Sequence, residues 1–272
     1  MISPMINNDM QDVLALDDRV VALDAVSNFR DLGGYPTACG RAVQWGKLFR
    51  SATLTHASEQ DIDTIVGRLG IHHVIDLRKA RELDLEPQPE RLLAHVHYHW
   101  LPINLDGTTR EDIDRRLAEG SAAEAFEGLL IDVNRNMVKQ HQDDIRRWFD
   151  IILHAETPIL FHCTEGKDRT GFAAAIFLLA MGVEKDVVMQ DYLLTNQTHR
   201  KSIAERIASS AVLSSFEVDA KDLERLLSVD EDYLNAGLAQ IEQDYGSVSA
   251  YLEQALEIDT EKLSLLKQKY LS

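Results

Sequence analysis

Hydrophobic positions along this chain change period several times, and each change marks an element. Ile62, Ile65, Val66 and Leu69 recur at helical spacing. Ser58, with Asp61 three residues on, makes a capping-box start for that helix, and Gly70 marks its end. Val43 to Phe49, after a turn at Cys39-Gly40, reads as a strand, and Val74 to Leu77 as a short buried one. From Ala94 to Leu101 the period drops to two, with Val96, Tyr98 and Trp100 on one face and His95, His97 and His99 on the other. Pro158 to His162 is a further short apolar run. Thr170 to Met181 is apolar almost throughout and stops at Gly182, as a central buried helix does. Leu105 to His154 predicts charged helices whose apolar residues include Phe126, Leu129, Leu130, Val133, Met137, Ile145, Trp148 and Phe149. Within it, residues 106 to 144 suit a surface element covering or bordering a site better than a core one. From Asp186 on the chain reads as helical, with breaks at Gly237 and Gly246. Strands alternating with helices predict an α/β fold, a central sheet flanked by helices, with about 105–154 as a helical insertion. Residues 1–26 read as a lead-in and 27–272 as one domain.

Composition narrows the function classes. The 272 residues suit one large domain, and 45% hydrophobic with 27% charged residues is a globular balance, not a disordered one. A net charge of −17 makes nucleic acid a poor partner. The longest apolar stretch, Phe172 to Met181, is too short for a bilayer, so no stable membrane insertion is expected. No signal-peptide pattern opens the chain, so the expected location is cytoplasmic, with secretion by a signal-independent route left open. Two cysteines, Cys39 and Cys163, cannot build a disulfide framework or a cysteine zinc site. Nothing calls for a cofactor.

The chemistry concentrates in Pro158 to Gly171, PILFHCTEGKDRTG. A strand ends at His162, a cysteine follows, and a short loop leads into a helix. Backbone N–H groups of such a loop, with a helix N-terminus behind them, form a nest for a tetrahedral dianion. Thr164, Glu165, Gly166, Lys167, Asp168 and Arg169 are its expected members. Gly166 permits the tight path, and Arg169 can fork two phosphate oxygens. The field that attracts phosphate also favours a thiolate at Cys163, aimed at phosphorus.

Cys163, five residues, Arg169 and Thr170 resemble the signature of cysteine-dependent protein-tyrosine phosphatases. The fuller string from His162 to Gly171 resembles the bacterial and fungal tyrosine/dual-specificity branch with a Lys-Asp-Arg loop. Asn28 to Gly34 (NFRDLGG), Leu48 to Ser51 (LFRS), Ile75 to Arg78 (IDLR), Asp191 to Asn196 (DYLLTN) and Tyr245 to Val248 with Tyr251-Leu252 resemble its other motifs, in order. The resemblance implies a protein-tyrosine-phosphatase-like fold and hydrolysis of phosphate monoesters, phosphotyrosine proteins foremost, through a cysteinyl-phosphate. Cys163 would attack and Arg169 would hold the equatorial oxygens. Thr170 would donate to the sulfur, and His162 would orient the loop. No Trp-Pro-Asp motif supplies a general acid. Asp168 is one candidate, as the resemblance implies, and Asp76, at a strand end, is the other. Lys167 would add charge at the loop rim, as in phosphoinositide phosphatases, the alternative reading. Glu165, near that rim, would repel a second phosphate.

Two rivals come from other classes. A metal-dependent hydrolase would use the His95, His97, His99 face, and chelator sensitivity would separate it from a thiol enzyme. A catalytically idle phosphate-binding module is the second, against which intact Cys163, Asp168 and Arg169 stand. Cys39, beside Gly40, reads as a turn residue, with a redox partner of Cys163 as the other possibility.

Overall fold

The computed structural model describes residues 16–105, 110–209 and 219–272. A five-stranded sheet runs through it in the order β1-β2-β5-β3-β4. The strands are β1 Arg30–Asp31, β2 Leu48–Ser51, β3 His73–Asp76, β4 His97–Trp100 and β5 Ile159–His162. β1 is antiparallel to β2, and the other pairings are parallel. The register sets His162, the last residue of β5, between Ser51 and Asp76. The parallel strands therefore end together, and ligands of open α/β sheets bind at that edge.

The helices used below are α1 Glu59–Ile62, α2 Ala80–Leu85, α3 Arg110–Glu119, α4 Ala122–Gln140, α5 Gln142–His154, α6 Asp168–Met181, α7 Lys185–Leu193, α8 Arg200–Ser209, α9 Ala220–Leu227, α10 Glu231–Tyr245 and α11 Thr260–Tyr270. α1 opens on the expected capping box of Ser58 and Asp61. Side-chain alternation splits the sheet between two cores. Ile75, Ile159 and Phe161 join α4, α5, α6 and α10 on one face. Phe49, Val74 and Leu160 join Ile62 and Ile65 on the other. A strand buried on both faces reads as an unbroken apolar run, which is why Pro158 to His162 lacks alternation. α6 is buried on nearly every side, and Gly182 ends it in the left-handed region at φ +88°.

Several expectations change. The Val43–Phe49 strand is split: Val43 makes a single bridge to Leu271, and β2 starts at Leu48. Gly46, at φ +71°, turns the chain between them, and its N–H is held by Asp31 Oδ2 at 2.6 Å. Residues 122–154 are not a surface element. Phe126, Leu129, Leu130, Val133 and Met137 form one buried face of α4, and Ile145, Trp148, Phe149 and Ile152 one of α5. Their i, i+3, i+4, i+7 spacing is that of a helix against a core, and the many charges cover the other face. Only α3, and residues 106–109, which lie outside the described residues, remain from the proposed covering segment. Gly237 is not a break. It lies inside α10, where a Cβ would come within 3.1 Å of the Asn134 carbonyl oxygen, so its small size lets α10 lie close against α4. The lead-in is held where it is described: Arg19 is buried against the Tyr35 ring, and Asp61 accepts the N–H groups of Asp24 and Ala25.

Candidate active site

At the end of β5 the chain passes through Cys163, turns over residues 164–167 and enters α6 at Asp168. Asp168, Arg169 and Thr170 thus stand in the first turn of a helix, where its N–H groups and dipole favour an anion. Cys163 is buried at 2% exposure. Gly166 has φ +66°, and a Cβ there would lie 2.3 Å from the Ser51 carbonyl oxygen.

The loop is shaped from behind. Asn28 Nδ2 donates to the carbonyls of Glu165 and Gly166 at 3.1 and 2.9 Å, and Arg50 Nη2 donates to that of Gly166 at 2.7 Å. Carbonyls drawn backwards leave the N–H groups of those peptides facing the nest. Asn28, itself at φ +59°, accepts from Arg30 Nη1 and Thr198 Oγ1. Asp191 receives Arg30 Nε at 3.1 Å, Arg50 Nη1 at 2.9 Å and the Tyr35 hydroxyl at 2.8 Å. Burial alone would raise the Asp191 pKa, but the two guanidinium groups drive it far below the carboxylate range. The separate motifs NFRDLGG, LFRS and DYLLTN thus meet in one buried network. Gly166→Ala is expected to lose about 100-fold in kcat/KM, because misplacement of about 1 Å near the chemistry costs that much. Backbone strain there should also cost about 1–3 kcal/mol. Steady-state kinetics with a small aryl phosphate and urea unfolding check both; wild-type values would contradict the tight packing of Gly166 on Ser51.

His162 is fully buried, and burial lowers its pKa. Gln88 Nε2 donates to Asp76 Oδ2 at 2.8 Å and lies 2.8 Å from His162 Nε2, which must then accept. Nδ1 carries the ring proton and donates to the Cys163 carbonyl at 3.0 Å. A neutral histidine therefore holds the carbonyl of the first loop peptide.

Arg169 is held by a residue that no motif marked. Glu82, on α2, takes Nη1 and Nη2 at 2.7 Å each and also accepts from Thr164 Oγ1. Burial opposes both charges, yet the pairing holds the Glu82 carboxyl down to about 2 and raises the Arg169 pKa. Arg169 Nε is buried without a hydrogen-bond partner, and so is Thr170 Oγ1.

The remaining candidates sit differently from expectation. Asp168 pairs with Lys167 Nζ at 3.2 Å and keeps 14% of its side chain exposed. Lys167 is buried, and Nζ also donates to the Ser228 carbonyl, so it is not a free rim charge. Glu165 does not simply face the mouth: its carboxylate accepts from His199 Nε2 at 2.6 Å. Burial, then Lys167 and Arg30, push His199 down to about 4, and its Nδ1 accepts from Ser27 Oγ at 2.9 Å. Asp76 is fully buried and receives Arg78, Gln88 and the Tyr98 hydroxyl. Despite burial, the Arg78 guanidinium, bonded to both of its oxygens, holds its pKa far below the carboxylate range. Asp76 is thus an anchor for the loop's floor and does not fit an acid.

His97 and His99 lie on β4, but His95 precedes it and bonds the Arg91 carbonyl. His99 Nε2 meets His73 Nδ1 at 3.0 Å. Among the described residues no group of three or more His, Cys, Asp or Glu side chains is arranged to hold a metal ion. Both cysteines are free, with Cys39 exposed in its turn. No described helix is long and apolar enough to cross a membrane.

This cysteine-and-arginine loop, at the carboxyl edge of a mostly parallel sheet, is the candidate active site. The chain belongs to the tyrosine phosphatase family, whose model matches residues 21–272. A Cupriavidus necator protein carrying the name of a tyrosine-protein phosphatase is 33% identical over 245 residues, 89% of this chain and 86% of that protein. The triple specificity protein phosphatase PtpB of Mycobacterium tuberculosis is 31% identical over 258 residues, 84% of this chain and 91% of its own. A tyrosine-protein phosphatase of Nostoc commune is 30% identical over 184 residues, 64% of this chain and 58% of its own. The chain is accordingly a phosphoric monoester hydrolase of the tyrosine phosphatase type.

Proposed function

We propose that this phosphatase removes phosphate from phosphotyrosine in proteins, with Cys163 as nucleophile and Asp168 as proton donor and acceptor. The carrying observation is the state of Arg169. Glu82 occupies the end of its guanidinium, while Nε is buried without a partner. A guanidinium held this way offers Nε–H to one equatorial oxygen, and its second Nη2–H, now on Thr164 Oγ1 at 3.3 Å, to another once it exchanges that bond for the phosphate. The inward N–H groups of the loop take the developing charge.

In the first step Cys163 Sγ bonds to phosphorus as the bond from phosphorus to the tyrosine oxygen breaks, and Asp168 protonates that oxygen. In the second, Asp168 accepts a proton from water, the water oxygen bonds to phosphorus, and Sγ leaves as thiolate. Thr170 Oγ1, buried without a partner, donates to the departing sulfur. Lys167, spent on Asp168 and Ser228, is poorly placed for a second phosphate, which favours phosphotyrosine over multiply phosphorylated inositol lipids.

Acid quench during turnover of a phosphotyrosine peptide should trap phosphate on Cys163, located by mass spectrometry. Hydrolysis without a phosphorylated Cys163 would overturn the covalent step. Parallel kinetics on phosphotyrosine, phosphoserine and phosphoinositide substrates test the range; the broad activity named for the mycobacterial relative would appear there as comparable kcat/KM for all three.

A further inference from the structure

Two distant segments of the chain meet on one residue of the catalytic loop. Glu165 stands between Thr164 and Gly166, and both its backbone and its side chain are held. Its carbonyl accepts from Asn28 Nδ2 at 3.1 Å, and its carboxylate accepts from His199 Nε2 at 2.6 Å. Asn28 and His199 are themselves tied together. The Asn28 N–H donates to the Thr198 carbonyl at 3.3 Å, and Thr198 Oγ1 donates to Asn28 Oδ1 at 2.6 Å. The Ser27 hydroxyl donates to His199 Nδ1 at 2.9 Å. Ser27-Asn28 and Thr198-His199 thus form one grip, and Glu165 is the loop residue it holds by its side chain.

The tautomer follows from the partners. A carboxylate only accepts, so Nε2 carries the ring proton and Nδ1 is left to accept from Ser27. The His199 side chain is 1% exposed and that of Glu165 14%. Asp168, the other acid of the loop, is held by an ion pair with Lys167. Glu165 is held instead by a hydrogen bond from a neutral ring, which leaves its charge in place but fixes where that charge sits. The carboxylate stands on a flexible stem in a loop built to bind a dianion. Like charges a few ångströms apart repel, most of all where water is partly excluded. The direction in which this side chain is drawn therefore matters to the phosphate.

We propose that His199 is a positioning residue for phosphate binding: it holds the Glu165 carboxylate back against the Ser27 side of the loop and so keeps a like charge off the dianion. This rests on the loop at Cys163 being the phosphate site, as in the function proposed above, but not on which residue attacks phosphorus.

The test is a double-mutant cycle read at pH 7 as KM for a small aryl phosphate and as the inhibition constant of inorganic phosphate. His199→Leu should raise both by about tenfold, a modest share of what a carboxylate moved nearer a dianion can cost. Its kcat should stay within about threefold, the mark of lost binding and not of lost transition-state stabilisation. In a Glu165→Gln background there is no charge to hold back, so adding His199→Leu should change either value by less than about threefold relative to Glu165→Gln alone. An equal rise in both backgrounds, unchanged values with Glu165 intact, or a loss confined to kcat would each overturn the proposal. If His199→Leu does not fold, two polar variants decide. His199→Gln places an amide nitrogen near the position of Nε2 and should stay within about threefold of wild type, whereas His199→Asn is too short to reach Glu165 and should show the tenfold rise. Equal values for these two, or the reverse order, overturn it as well. A failure of the nucleophile assignment would appear separately, as turnover with no phosphate trapped on Cys163.

Discussion

Cys163→Ser is expected to abolish turnover of every phosphate monoester, by at least about 10⁴-fold in kcat, since removal of a nucleophile from a cooperating set costs about that much or more. The hydroxyl is a far weaker nucleophile than a thiolate, and among the described residues the adjacent histidine is not free to deprotonate it. His162, the adjacent base, has both ring nitrogens committed, one to the Cys163 carbonyl and one to Gln88. Binding should survive, because Arg169, Glu82 and the backbone supports at Asn28 and Arg50 are untouched. Isothermal titration with a phosphotyrosine peptide should therefore give a Kd within about tenfold of the wild-type KM. Vanadate should inhibit the wild type and EDTA should leave it active. Residual turnover within 100-fold of wild type, or loss on chelation, would remove the thiol mechanism.

Asp168→Asn should slow reactions with poor leaving groups by about 10²–10⁴-fold, the usual worth of general acid–base catalysis. A phosphotyrosine peptide should suffer most, and an aryl phosphate whose phenol is strongly acidic least in the first step, because that phenolate leaves without a proton. The comparison is Asp76→Asn. That carboxylate is enclosed by Arg78, Gln88 and Tyr98, so its loss should lower stability and affect all leaving groups alike. A steep leaving-group dependence in Asp76→Asn and a flat one in Asp168→Asn would reverse the assignment.

Much of the site was legible before the fold, because its chemistry lies in adjacent residues. Cys163 and Gly166 lie in the loop between a strand and a helix and Arg169 and Thr170 in the first turn of that helix, and β5 and α6 announce themselves by apolar runs of different length. Local periodicity also sufficed for the capping box of α1, the stop at Gly182 and the α/β alternation. It failed where the same local pattern fits two surroundings. A helix with a charged face and an apolar face can cover a site or build a core, and only the packing of α4 and α5 under the sheet chose the second. A glycine in a helical run can break the helix or let another approach, and only the contact with Asn134 decided for Gly237.

The sequence by itself determined the family, the candidate loop and the strand and helix that carry it, since the loop and its flanks are read from near neighbours along the chain. Only the tertiary structure decided what each charge in that loop faces. Glu82 and Gln88 lie in an ordinary polar stretch, yet one clamps Arg169 across 87 positions and the other fixes the His162 ring across 74. Asp191 lies 161 positions from Arg30 and 141 from Arg50. Asp76 became an anchor, Lys167 turned inward and Glu165 met His199 for the same reason. A hydrogen bond or ion pair is set by position in space, and side-chain period along the chain reports only which residues are buried, not which partners meet them there.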